Sequence, residues 1–191
     1  MKIGLFFGSF NPVHMGHMAL ADYFVEFTDL DRLWFVISPH NPLKKKESLL
    51  NDQLRLDMVE MAINGDNRFE ICDIEFRMPK PSYTIDTLAY LTENHPAHQF
   101  ILVMGDDGLV NFHKWKNYRE IIERYPRIIY PRDVTQKTDY SQHQNIIVLN
   151  EAPMIGISSS FIRAALAAGK NVQHFLPEKV YSYIERYNLY R

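Results

Sequence analysis

Residues 2–17 read KIGLFFGSFNPVHMGH. Lys2 to Phe7 form a short apolar run of strand length, and Gly8-Ser9-Phe10-Asn11-Pro12 is a cluster of turn residues that stops it. A helix is predicted from about His14 to Phe27. A buried strand that passes through a glycine turn straight into a helix is the opening half of a βαβ unit, so the question is whether the alternation continues.

It does. Arg32 to Ile37 (RLWFVI) is a second apolar strand, closed by Ser38-Pro39-His40-Asn41-Pro42 and the basic run Lys44-Lys45-Lys46. Leu54, Met58, Met61 and Ala62 then recur at helical spacing behind Asn51 or Asp52 as N-cap, with Gly65 placed to end the helix. Phe69 to Phe76 reads as a strand. Pro81-Ser82-Tyr83 leads into a helix carrying Ile85, Leu88 and Leu91, and the strand Phe100 to Met104 runs into Gly105-Asp106-Asp107-Gly108. Leu109 to Tyr125 reads as largely helical and Arg127 to Tyr130 as a short strand. Residues 131–145 form one long polar loop. A last strand, Ile146 to Leu149, precedes helices at about Ser159–Ala168, closed by Gly169, and at about Pro177–Tyr187. Strands alternating with helices imply an α/β fold: a mostly parallel sheet, right-handed crossovers and helices on both faces. Ligands of such sheets bind at the carboxyl ends of the strands, which singles out the loops after Phe7, Ile37, Phe76, Met104 and Leu149.

The chain has 191 residues, suited to one domain spanning 1–191. Hydrophobic residues make up 46% and charged residues 23%, the range of a compact globular fold. Twenty-one Lys plus Arg against 23 Asp plus Glu give a net charge of −2, so no global basic field holds a nucleic acid, and any phosphate site is local. The single Cys72 forms no intrachain disulfide. The N-terminal apolar run is too short for a signal peptide, and no run of about 18 apolar residues would span a membrane. A cytoplasmic enzyme is expected; no oligomeric state is legible.

The first loop carries the most chemistry. Gly8 lets the backbone turn close to a ligand, and the helix that follows presents free N–H groups and its positive dipole end, a natural phosphate site. His14 and His17 can both face that spot, with Gly16 leaving room between them. Taken alone, two histidines at this spacing also fit a metal pair or two ordinary helix-start residues. A zinc-protease motif is excluded, because Met15 and Gly16 supply neither the spacing nor a general base. The loop is neither a GxGxxG fingerprint nor a Walker loop. Near the other end, Ile157-Ser158-Ser159-Ser160-Phe161-Ile162-Arg163 opens a helix behind a serine N-cap, with Arg163 about one turn in, where it can reach the same anion.

Together, HxGH after the first strand and (I/V)SSxxxR before a late helix resemble the nucleotidyltransferase superfamily, the adenylyl- and cytidylyltransferases with a Rossmann-like fold. Pro81-Ser82-Tyr83-Thr84-Ile85-Asp86-Thr87-Leu88, together with Gly105-Asp106-Asp107, Phe112 and Trp115, makes the chain similar to the nicotinate-nucleotide adenylyltransferase family of bacterial NAD biosynthesis. Two departures stand out. The loop reads Gly-Ser-Phe-Asn-Pro where the family usually has Gly-Gly-Thr-Phe-Asp-Pro, and Pro39-His40-Asn41-Pro42-Leu43-Lys44 replaces the commoner Pro-Pro-His-Lys.

The resemblance implies that a mononucleotide phosphate attacks the α-phosphorus of ATP, with Mg²⁺ on the departing phosphates. ATP and nicotinate mononucleotide are then the partners. On this reading the catalytic residues are His17 on the α-phosphate, His14 beside it and Arg163. Gly8, Ser9, Phe10, Lys44, Gly105, Asp107, Ser158 and Ser159 complete the ATP site. Tyr83 and Thr84 would bind the nicotinate carboxylate through backbone N–H groups, and Trp115 would stack on the pyridine ring. No protein-held metal is expected. Nicotinamide mononucleotide and phosphopantetheine are the competing acceptors, and a nucleotide-binding regulator without turnover is the competing class.

Overall fold

A computed structural model describes residues 1–39, 49–132 and 145–191. Among these residues six strands, β1 (Lys2–Gly8), β2 (Arg32–Ile37), β3 (Phe69–Cys72), β4 (Gln99–Gly105), β5 (Arg127–Tyr130) and β6 (Ile146–Val148), pair in the order β3-β2-β1-β4-β5-β6. Every pairing is parallel; Leu5 sits beside Trp34 on one side and Leu102 on the other. The expected Rossmann-like sheet is present. The chain leaves β1 in one direction and resumes with β4 on its other side, so the crevice at the carboxyl ends of β1 and β4 is the topological switch point.

Among the described residues, seven α-helices cover the sheet: α1 (Met15–Glu26), α2 (Asp52–Ile63), α3 (Thr84–Asn94), α4 (Asp106–Val110), α5 (Tyr118–Arg124), α6 (Ser159–Ala167) and α7 (Glu178–Arg186). Strands buried on both faces need no polar alternation, which is why they read as continuous apolar runs. Successive strand residues instead point into two cores. Phe6, Leu33, Phe35, Ile101 and Val103 join residues of α1, α2, α6 and α7 on one face. Leu5, Trp34, Val36, Leu102 and Met104 meet α3, α4 and α5 on the other.

Local signals set several helix ends. Asn51 caps α2 by accepting the Gln53 N–H at 2.8 Å, and Ser158 caps α6 through the Phe161 N–H at 3.2 Å. Gly65 and Gly169, at φ +92° and +68°, take left-handed turns after α2 and α6.

Two expected elements are corrected. The strand expected over Phe69 to Phe76 ends at Cys72, and Ile74–Phe76 form a 3₁₀ turn. That turn carries Glu75 inward, where its carboxylate accepts the hydroxyls of Ser82 at 3.0 Å and Thr87 at 2.8 Å; an alternating strand supplies no such partners. The helix expected over Leu109 to Tyr125 is three pieces: α4, a 3₁₀ turn at Phe112–Lys114, and α5. Trp115 is extended and Asn117 is left-handed at φ 51°, a conformation asparagine tolerates.

Candidate active site

The loop after β1 is held from three directions. A Cβ on Gly8 would lie 2.8 Å from the Phe10 ring, so glycine is what lets that ring fold back beneath the loop. Phe10 itself has φ 43°, a conformation costing a non-glycine residue about 1–3 kcal/mol. Burial of its ring, 5.3 Å from Phe35 and 5.1 Å from His17, is worth a comparable amount and holds it there. The fully buried Arg55 of α2 donates to the carbonyls of Ser9 at 2.6 Å, Ser38 at 2.9 Å and Leu50 at 3.2 Å, and pairs with Asp52 at 2.6 Å. From α6, Arg163 donates to the Asn11 carbonyl at 2.9 Å and Ser159 to the Pro12 carbonyl at 2.9 Å. The hydroxyl of Tyr190 donates to Asn11 Oδ1 at 2.9 Å.

His14 is the N-cap of α1, and His17 lies one turn in. Nδ1 of His17 accepts the backbone N–H of His14 at 3.2 Å, which leaves Nε2–H as the ring's donor. The two rings stack, with centroids 3.7 Å apart. His14 is buried. Desolvation, assisted by the charge of Arg132, lowers its pKa to about 4, so it is neutral at pH 7. Its Nδ1 is buried, and its side chain faces the backbone N–H of His17 in a capping box at the start of α1. Gly16 stays small because a Cβ would lie 3.0 Å from that Nδ1 and 3.1 Å from Ile155.

These groups line a cleft of about 710 Å³ that brings Gly8, Ser9, Phe10, His14, His17, Ser158, Ser159 and Arg163 together, with Arg132 added. Ser159 reaches this cleft at the start of α6. Its hydroxyl is engaged with Pro12, and what α6 offers the cleft is its first turn. A second cavity, about 410 Å³, is lined by Glu75, Ser82, Tyr83, Thr84, Gly105, Trp115 and Arg132. Tyr83 caps α3, which starts at Thr84, and the Trp115 ring packs 5.1 Å from Phe112. Asp107 stands outside both linings, paired with Arg132 at 3.1 Å, and the buried Asp106 accepts the Arg132 backbone N–H at 3.0 Å. Lys44, with Lys45 and Lys46, lies outside the described residues, as does most of the polar loop. Among the described residues no group of three or more His, Cys, Asp or Glu is placed to hold a metal ion.

Sequence reasoning missed Arg55, Glu75, Asp106, Arg132 and Tyr190. Arg55 had a signal, since it shares the buried face of α2 with Met58, Val59 and Ile63. Arg132 had one too, because it follows the carboxyl end of β5.

A parallel sheet with a nucleotide-sized cleft at its switch point, two histidines opening α1 and an arginine-bearing α6 define a nucleotidyltransferase of the cytidylyltransferase-like class, whose family model matches residues 5–165. Full-length relatives narrow this. The chain is 48% identical to the probable nicotinate-nucleotide adenylyltransferase of Flavobacterium johnsoniae over 100% of both chains, and 46% identical to that of Flavobacterium psychrophilum, again over 100% of both. It belongs to the nicotinate-nucleotide adenylyltransferase family. The fold agrees with that of Plasmodium falciparum nicotinic acid mononucleotide adenylyltransferase complexed with NaAD, at TM-score 0.84 and 23% identity, covering 99% of this chain and 97% of that one. Among the described residues no helix is long and apolar enough to cross a membrane.

Proposed function

We infer that the protein transfers the adenylyl group of ATP to nicotinate mononucleotide, giving deamido-NAD and pyrophosphate. The observation that carries this reading is a pair of cavities meeting at the carboxyl ends of β1 and β4. One offers histidines and helix-start donors to a triphosphate, and the other offers a helix start and an indole to a pyridine carboxylate. Family membership supplies the chemical class, and residues 1–191 act as a single domain in the cytoplasm.

The attacking phosphate monoester has a second pKa near 6 and is already ionised at neutral pH, so no general base is needed. Rate comes from positioning and from charge neutralisation as pyrophosphate leaves. We assign Nε2–H of His17 to a non-bridging α-phosphate oxygen. The imidazole of His14, which lines the same cleft, goes to a neighbouring phosphate oxygen. The backbone of Ser9 and Phe10, the first turn of α6 and Arg163 go to the remaining phosphates. The donor set among the described residues, imidazole, guanidinium and backbone N–H, suits anions, so Mg²⁺ would come with ATP rather than on protein ligands and would supply charge neutralisation to the leaving group. N–H groups at the start of α3 satisfy both oxygens of the nicotinate carboxylate. A carboxamide would turn its own NH₂ towards them and leave a donor unpaired. Trp115 supplies the aromatic face for a cationic pyridinium.

The test compares nicotinate with nicotinamide mononucleotide as acceptor, with ATP and Mg²⁺, by dinucleotide and pyrophosphate release. Strong preference for the acid supports the reaction and the carboxylate site. Equal use of both discards the roles of Tyr83 and Thr84, and no turnover with either discards the reaction.

A further inference from the structure

The proposed reaction drives one phosphate onto another, so the place where the two substrates meet needs positive charge. The two cavities share four lining residues, Phe6, Phe7, Tyr130 and Arg132, and only the last is charged. We propose that Arg132 is a further catalytic residue, whose guanidinium spans the α-phosphate of ATP and the attacking phosphate of the mononucleotide. This rests on the reaction inferred above.

The placement is built. Arg132 follows the last residues of β5, and its backbone N–H is fixed by the buried carboxylate of Asp106 at 3.0 Å. Its stem lies across Gly105, where a Cβ would come within 2.4 Å of the arginine Cδ, so the residue at 105 must be glycine for the side chain to lie there. The guanidinium is held by Asp107 at 3.1 Å, with side chains 51% and 56% exposed. A pair that exposed is screened by water and contributes little, so exchanging the carboxylate for phosphate oxygens costs little. The planar fork of an arginine can then bind oxygens of two phosphates at once. In the step itself an oxygen of the mononucleotide phosphate bonds to the α-phosphorus. The bond from that phosphorus to the bridging oxygen breaks, and pyrophosphate leaves with the electron pair. The guanidinium keeps its proton throughout.

The test uses the full chain with ATP, Mg²⁺ and nicotinate mononucleotide. Turnover by the unsubstituted protein comes first, and its absence removes the reaction and this role together. With turnover established, Arg132→Ala should lower kcat by about 100-fold or more, and added guanidinium chloride, against equal sodium chloride, should restore about tenfold of that loss in this variant alone. A kcat within about threefold of the unsubstituted protein, or a loss that guanidinium does not restore, overturns the proposal. Should Arg132→Ala fail to fold, Arg132→Lys decides. A folded lysine variant slowed about tenfold in kcat supports a bridging fork, and one with unchanged kcat overturns it.

Discussion

The guanidinium of Arg55 donates to the carbonyl oxygen of Ser9 at 2.6 Å from a fully buried position, tying α2 to the loop that carries the histidines. Three carbonyls and the Asp52 carboxylate depend on this one side chain. Arg55→Met removes the donor shared by three backbone carbonyls and leaves Asp52 with only Lys80 at 3.5 Å, and breaking such a network costs about 3–5 kcal/mol. At about 2–4 °C per kcal/mol for a chain of this size, thermal melting should drop by roughly 10 °C. A drop of only a degree or two would show that the loop holds without Arg55.

On the proposed reaction His17 contacts the α-phosphate through Nε2, while Nδ1 is committed to the backbone of His14. His17→Ala should leave the melting temperature within a few degrees but lower kcat by about 100- to 1,000-fold, the usual cost of one transition-state donor. Steady-state pyrophosphate release reads this directly. Retention of most of the rate would move the α-phosphate contact elsewhere.

His14 predicts a pH signature. Its pKa falls from 6.5 in the unfolded chain to about 4 in the folded protein, so the unfolded state binds the extra proton between those values. The stabilisation from keeping it neutral is complete above pH 6.5 and is lost as pH falls towards 4, amounting to about 3 kcal/mol. Denaturant melts at pH 7 and pH 4.5 should therefore differ by less in His14→Gln than in the unsubstituted protein. Equal differences would refute the depressed value.

Gly16→Ala sets two effects against each other. Alanine improves helix propensity by about 1 kcal/mol, yet its Cβ would sit 3.0 Å from His14 Nδ1 and 3.1 Å from Ile155. Stability should stay within about 1 kcal/mol while displacement of the imidazole lowers kcat about tenfold. A fully active variant would mean that His14 can shift without consequence.

Much of the architecture was legible because parallel strands are short apolar runs and the helices carry caps such as Asn51 and Ser158. Local patterning located the cleft residues from Gly8 to His17 and from Ser158 to Arg163, since each set is contiguous. What it could not supply were partners fixed only by folding. Arg55 meets Ser9 across 46 residues and Tyr190 meets Asn11 across 179, so no sequence window contains either pair. Glu75 broke the strand expectation for the same reason, because its partners Ser82 and Thr87 lie beyond the local pattern that suggested a strand.

The loop from Ser9 to Pro12 is tied to residues 55, 159, 163 and 190, four points scattered along the chain. The shape of the loop leading into both histidines thus depends on several distant chain segments at once. A nascent chain still short of residue 190, or one in which α6 has yet to dock, holds both histidines but lacks the rigging that aims them. Enzyme activity recovered during refolding should accordingly lag behind the return of helical signal, reporting the last tertiary contact to close rather than the first element to form.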